Sequence, residues 1–229
     1  MLRIGARDMA LGVATQEVML DLATVAEALV RMALRKVLEE IREAGEIPDG
    51  EGNLQEHFCI LAFGKLGGQE LNYSSDIDLL YLAAENPTDY ARLGERLIKA
   101  LTERTAEGFL YRVDMRLRPW GQVGALVSSV QGYLRYLQRN ARLWEKQALL
   151  KARLIAGDKS VGQELLQRIK PLLFGVNGAE VRADVHAMKQ RIETQLRRRN
   201  NLWGEVKLGQ GSIRDVEFVV QYLQLAHGA

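Results

Sequence analysis

Apolar positions recur at helical spacing from Thr15 to Glu43. Leu22, Val25, Leu29, Met32 and Leu34 to Leu38 form one side; Glu17, Glu27, Arg31, Arg35 and Glu39 form the other. This predicts a long amphipathic helix, ended by Gly45, Pro48 and Gly50. The pattern then changes. HFCILAF (57–63) and IDLLYLAA (77–84) are short continuous apolar runs, which predict buried strands. Tyr90 to Leu101 returns to helical spacing, with Leu93, Leu97 and Leu101 four apart. Leu110 to Leu117 alternates. Tyr111, Val113, Met115 and Leu117 share one face, and Arg112, Asp114, Arg116 and Arg118 the other. That period predicts a third strand, and ALVSS (125–129) a short fourth. From Val130 the period is helical, over Val130–Asn140, Leu143–Ala156, Val161–Lys170, Ala179–Asn200 and Ser212–His227. The expected class is α+β: residues 1–157 with a small mixed sheet and an N-terminal helix, then a helical bundle over 158–229.

Composition changes this picture little. The chain is 47% hydrophobic and 26% charged, so it can build a core without disulfides. A net charge of +2 gives no global signal for a polyanion. The lone Cys59 has no disulfide partner, which fits a reducing, cytoplasmic setting. No apolar run is long enough to span a bilayer, and no signal peptide opens the chain. His57, His186 and His227 lack zinc-site spacing. The last helix ends at HGA with no further packing partner, which predicts a chain cut from a longer protein.

The chemistry concentrates in FGKLGGQELNYSSDIDLLYL, residues 63–82. An apolar strand enters a Gly-rich turn, and a second strand carries Asp76 and Asp78. Side chains at i and i+2 of a strand share a face. Like charges so placed call for a cation between them. Asp114, among arginines on the third strand, would complete the set. Two metal ions need bridging and flanking carboxylates, and basic groups such as Arg116 can hold phosphate oxygens. Asp114 could also orient or deprotonate the attacking group. A solvated strand face is the alternative account of the alternating charge.

Gly67 and Gly68 follow a strand and precede Gln69-Glu70-Leu71, which could open a short helix; backbone N–H groups there can bind anions. Ser74 and Ser75 add hydroxyls. Lys65 is open between phosphate ligand and surface lysine. The spacing is neither GxxxxGK[ST] nor GxGxxG. On the expected helix WEKQALLKAR (144–153), Trp144 reads as a core anchor, and Lys151 and Arg153 as groups that could reach phosphates or simply face solvent. The run Arg191, Arg197, Arg198, Arg199 lacks the aromatic interleaving of a nucleic-acid surface. Ser212 reads as the N-cap of the last helix, with Asp215 suiting its dipole.

Leu66-Gly67-Gly68, Asp76-Ile77-Asp78-Leu79 and Val113-Asp114-Met115 resemble the three-part signature of the DNA polymerase β-like nucleotidyltransferase superfamily. GKLGGQELNYSSDIDLLY, YRVDMRLRPWG, WEKQALLKAR and GSIRDVEFVVQYLQL together resemble the glutamine synthetase adenylyltransferase family, over nearly the whole chain. The resemblance implies a polymerase β-like nucleotidyltransferase fold and chemistry on AMP. Family members carry two similar nucleotidyltransferase domains. The first half removes AMP from a tyrosine of glutamine synthetase by phosphorolysis, releasing ADP. The second half attaches AMP from ATP. The PII signal protein and glutamine set the balance.

The resemblance implies Mg2+ at Asp76, Asp78 and Asp114, which are also the catalytic residues. It implies nucleotide (ATP, ADP or AMP) or inorganic phosphate at Gly67, Gly68, Ser75, Lys65, Arg116 and Lys151. The implied partners are glutamine synthetase and PII, with no nucleic acid and no membrane. Asn72, Arg112, Arg214 and Lys151 resemble the first-half, adenylyl-removing type, while Gln147-Ala148-Leu149 resembles the second half. The balance favours removal of AMP. Forward adenylylation and a non-catalytic docking module are the alternatives.

Overall fold

The computed structural model describes residues 1–45, 56–174, 177–198 and 205–228. Pro48, Gly50, Arg199 and Asn200 lie outside them. The chain forms two compact units: Met1–Tyr136 with Lys151–Gln167, and Leu137–Leu150 with Arg168–Ala229. They interleave along the sequence rather than meeting at one point.

The first unit opens with two helices, α1 (Leu2–Leu11) and α2 (Thr15–Glu43). α2 covers the predicted span, but its buried stripe is Val18, Leu22, Ala26, Val30, Leu34, Val37 and Ile41. Met32, expected on the apolar side, is exposed. Glu27, expected on the polar side, is buried. Strand β1 (Phe58–Phe63) follows, then the one-turn helix α3 (Gly64–Gly67) and strand β2 (Ile77–Ala83). Helix α4 (Ala91–Thr102) turns Leu93, Leu97 and Leu101 inward. The short strands β3 (Val113–Asp114) and β4 (Val127–Ser129) come next. The remaining elements are α5 (Val130–Arg139), α6 (Leu143–Leu149), β5 (Arg153–Gly157), α7 (Lys159–Phe174), α8 (Gly178–Arg198) and α9 (Ile213–His227).

The sheet is mixed, as expected. β1 lies antiparallel between β2 and β5. On its other edge β2 is parallel to both β3 and β4, one at each end. β1 and all of β2 except Asp78 are buried, which explains their unbroken apolar runs. Phe58, Ile60 and Ala62 join Leu79, Tyr81 and the α2 and α4 stripes in one core.

Four readings from the sequence are corrected. The third strand is two residues long rather than eight. After Asp114 the Arg116 backbone N–H returns to the Asp114 carboxylate at 2.8 Å, which turns the chain out of the ladder. Arg118 leaves that face and donates to the Gln122 and Gly124 carbonyls. The helix expected over Leu143–Ala156 stops at Leu149, and Arg153–Gly157 is a strand instead. Its apolar residues fill the open edge of β1, a pairing that periodicity in one segment does not reveal. Trp144 is exposed rather than a core anchor. The short helix also lies before the glycine pair, at Gly64–Gly67, not after it.

In the second unit α8 runs against α9. Ser212 occupies the N-cap position of α9, but its hydroxyl donates to the Lys207 carbonyl instead of capping. Asp215 accepts from the Gly211 N–H at 2.8 Å and from Lys189. These bonds hold its carboxyl below the usual range against the opposing effect of burial, which is the largest single influence on it.

Candidate active site

The register of the sheet assembles the site. Asp78 is the first residue of β2 not fully enclosed, and in the parallel β2–β3 pair it stands opposite Asp114. It also stands opposite Phe63, so the end of β1 and the start of α3 form its floor. Asp76 lies two residues earlier, just outside the strand. Asp76, Asp78 and Asp114 are thus brought to one place from separate parts of the sequence.

Their environments differ. Asp76 and Arg112 form a charge-assisted pair, and Arg112 also donates to the Ser74 carbonyl. Asp114 accepts from the Arg116 backbone N–H and from its guanidinium, at 2.7–3.0 Å for the Nε bonds. Burial, the largest influence on Asp114, pushes its carboxyl up; Arg116 outweighs it and holds the pKa below the ordinary value. Asp78 has no arginine of its own. Burial first, then the charges of Asp114 and Asp76, push its pKa from 3.8 to about 6, with Arg116 opposing. Two arginines against three carboxylates leave one net negative charge, and the strain of that imbalance falls on Asp78.

The donor set suits a hard dication such as Mg2+. All are carboxylate oxygens, and a cation would offset both the burial and the neighbouring charges that raise the Asp78 pKa. As placed, no three acidic, histidine or cysteine side chains among the described residues are gathered closely enough to hold one ion. Asp76 and Asp114 are instead turned onto their arginines, so holding a metal requires them to swing off Arg112 and Arg116.

The Gly-rich turn lies against this cluster. Gly64 has φ of +54°, and a Cβ there would lie 2.3 Å from Asp78 Oδ2. Sequence reasoning missed this residue; a glycine closing an apolar strand was its only signal. Gly67 serves packing, because a Cβ there would lie 2.0 Å from the Lys151 carbonyl oxygen. The N–H groups of Gly68, Gln69 and Glu70 bond back to Gly64, Leu66 and Lys65. The Ser75 N–H bonds to the Asn72 carbonyl. In this conformation those amides are spent within the turn. The groups left to meet an anion are the exposed Lys65, Lys151, which pairs with Glu70, and Arg116.

Arg153, read as a phosphate contact or a solvated side chain, does neither. It donates to the Leu66 and Gly67 carbonyls at 2.9 and 3.0 Å and pairs with Glu27 of α2. It therefore fastens α3 to the long helix. Nothing local foretold a partner so far along the chain. Arg214 and Asp215 belong to the second unit, where the Arg214 guanidinium lies over Phe218 at 5.8 Å.

Comparison with known proteins bears on this arrangement directly. The family model described as glutamate-ammonia ligase adenylyltransferase matches residues 1–168, the stretch that supplies all three carboxylates and the Gly-rich turn. The model described as GlnD PII-uridylyltransferase matches residues 180–229. A protein of Hahella chejuensis named bifunctional glutamine synthetase adenylyltransferase/adenylyl-removing enzyme is 39% identical over 100% of this chain and 25% of its own length. Proteins of the same name from Thioalkalivibrio sulfidiphilus and Shewanella woodyi are each 41% identical, over 98% and 100% of this chain. The chain spans about a quarter of the length of these relatives. With full coverage at such identity, and with the family match lying on the carboxylate-bearing sheet, the chain belongs to the glutamate-ammonia ligase adenylyltransferase family.

Proposed function

We propose that this chain is a polymerase β-like nucleotidyltransferase domain that removes AMP from adenylylated glutamine synthetase by phosphorolysis, with release of ADP. The observation that carries the reading is the convergence of Asp76, Asp78 and Asp114 at one end of a small mixed sheet, in a chain of this family. Asp76, Asp78 and Asp114 would hold Mg2+, which when bound supplies charge neutralisation at the phosphoryl oxygens.

The side chains around it support the same chemistry. Arg112 and Arg116 pair with Asp76 and Asp114; were those carboxylates to hold Mg2+, the two guanidiniums would be available to phosphate oxygens. Lys65 lies within α3, and Lys151 lies beside Gly68 and pairs with Glu70. An oxygen of inorganic phosphate forms a bond to the AMP phosphorus as the bond to the tyrosyl oxygen breaks. The tyrosine recovers a proton, and the nucleotide leaves as ADP. Asn72, Arg112 and Arg214 favour this direction over attachment of AMP. PII as a regulator and the cytoplasm as the setting belong to this reading.

The test incubates the protein with adenylylated glutamine synthetase, phosphate and Mg2+. ADP release that is lost in Asp76→Ala, with the fold retained, is expected. ATP consumption with pyrophosphate release would assign the forward reaction instead. No turnover in either direction, with the target still bound, would leave only a docking role.

A further inference from the structure

We propose that the cleft between α2 and the outer edge of β5 binds a small organic anion, at a site separate from the carboxylate cluster and independent of the chemistry proposed above. The cleft has a volume of about 480 Å3 and lies within the first unit. Arg31, Arg35 and Lys159 surround a floor that includes Leu34, Leu154 and Ile155. Among the described residues no acidic side chain lines it.

Two of its three cations are available, while Arg31 is held by Glu27 and the Ile155 carbonyl. Arg35 and Lys159 are exposed, and no carboxylate among the described residues holds either. Glu27 and Asp158 already have partners. Glu27 is shared between Arg31, at 3.1 Å, and Arg153. Asp158 accepts from the backbone N–H and the hydroxyl of Ser160, both at 2.7 Å. Like charges gathered around a concave apolar floor repel unless an anion joins them. Arg35 and Lys159, beside the paired Arg31 and the apolar Leu34 and Ile155, therefore fit a charged head of carboxylate or phosphate type on a short apolar body.

The local fold builds this arrangement. Gly157, at φ of +83°, packs so tightly on β1 that a Cβ would lie 2.2 Å from the Phe58 carbonyl oxygen. That tight turn starts α7 at once and brings Lys159 to the mouth of the cleft. The register of β5 slips at Ile155: Leu154 and Ala156 pair with Leu61 and Ile60, and Ile155 is left over. Its carbonyl accepts from Arg31 Nε at 2.6 Å. An added strand would need that carbonyl, so the bulge and Arg31 close the sheet edge to strand addition. The cleft also lies away from the Gly-rich turn. Arg153, at the near end of β5, reaches the turn, whereas the cleft follows the far end, where Gly157 is opposite Cys59.

Isothermal titration of succinate, and separately of inorganic phosphate, into the whole chain at low ionic strength tests the proposal. One saturable site for at least one probe is expected, weakened about tenfold or more by Arg35→Ala and by Lys159→Ala. Asp78→Asn and Lys65→Ala should leave the succinate site unchanged; inorganic phosphate, which the proposed chemistry also brings to Lys65 and Arg116, counts only for the binding that Arg35→Ala and Lys159→Ala weaken. Succinate binding more tightly assigns a carboxylate head, and phosphate binding more tightly a phosphate head. Both substituted residues are exposed, so circular dichroism melts should match the parent, and Lys159→Arg should keep the affinity. No saturable binding of either probe up to about 20 mM would overturn the proposal. So would binding that Arg35→Ala and Lys159→Ala leave intact.

Discussion

Replacing Asp78 by asparagine should stabilise the protein at neutral pH and abolish its proposed chemistry. A carboxyl whose folded pKa lies above its unfolded value binds its proton more tightly when folded, so ionising it costs stability. The cost is absent below pH 3.8, grows as the pH rises to about 6, and is complete above that. A rise of about two units at about 1.4 kcal/mol each gives roughly 3 kcal/mol. Asp78 is half-buried, and solvent screening reduces this to about 1–2 kcal/mol. Asparagine keeps the shape and removes the charge. Urea unfolding at pH 7.5 should show Asp78→Asn more stable by about 1–2 kcal/mol, with a melting midpoint roughly 2–8 °C higher. At pH 3.5 the two proteins should agree. Adding Mg2+ at pH 7.5 should raise the stability of the parent and narrow the gap, because a ligand held by the folded state alone stabilises it. A stability gain that persists unchanged at pH 3.5, or a loss at pH 7.5, would refute the electrostatic reasoning.

Other substitutions probe other parts of the account. Gly64→Ala forces a left-handed backbone onto alanine and a Cβ into the Asp78 carboxylate; a loss of roughly 1–3 kcal/mol in urea unfolding is expected. Arg153→Met leaves the nearly enclosed Glu27 with Arg31 as its remaining partner, so it should cost about 1–3 kcal/mol. Adding Glu27→Gln to that variant should recover part of the loss in a double-mutant cycle. The buried Tyr81 hydroxyl has no hydrogen-bond partner among the described residues, so Tyr81→Phe should be neutral or stabilising by up to about 1 kcal/mol in thermal melts. Burial, with Asp158 adding, pushes the Cys59 thiol up to about 12. Iodoacetamide should therefore label it only on unfolding, as mass spectrometry would show.

What could be read from the sequence divides along physical lines. α2 and α4 were legible from their helical period and β1 and β2 from their unbroken apolar runs, although in α2 the buried stripe departs from the expected one at Glu27 and Met32. Asp114 was legible as a neighbour of the aspartate pair because a short polar motif marked it. The length of β3 was not, since the Asp114 side chain captures the Arg116 N–H and ends the strand within one residue. β5 was not, because RLIAG becomes a strand only by filling the free edge of β1. Glu27 looked like an ordinary surface acid until Arg153 arrived from the far side of the sheet. The arginines on Asp76 and Asp114 were equally hidden: alternation put them on the right face but did not pair them.

The central claim is that the three aspartates form a divalent-metal site. Titrating Mn2+ into the protein in the presence of ADP, with free Mn2+ read by electron paramagnetic resonance, tests it most directly. Saturable binding that is lost in Asp78→Asn and strongly weakened in Asp76→Ala and Asp114→Ala is the predicted result; binding of equal strength in Asp78→Asn would contradict it.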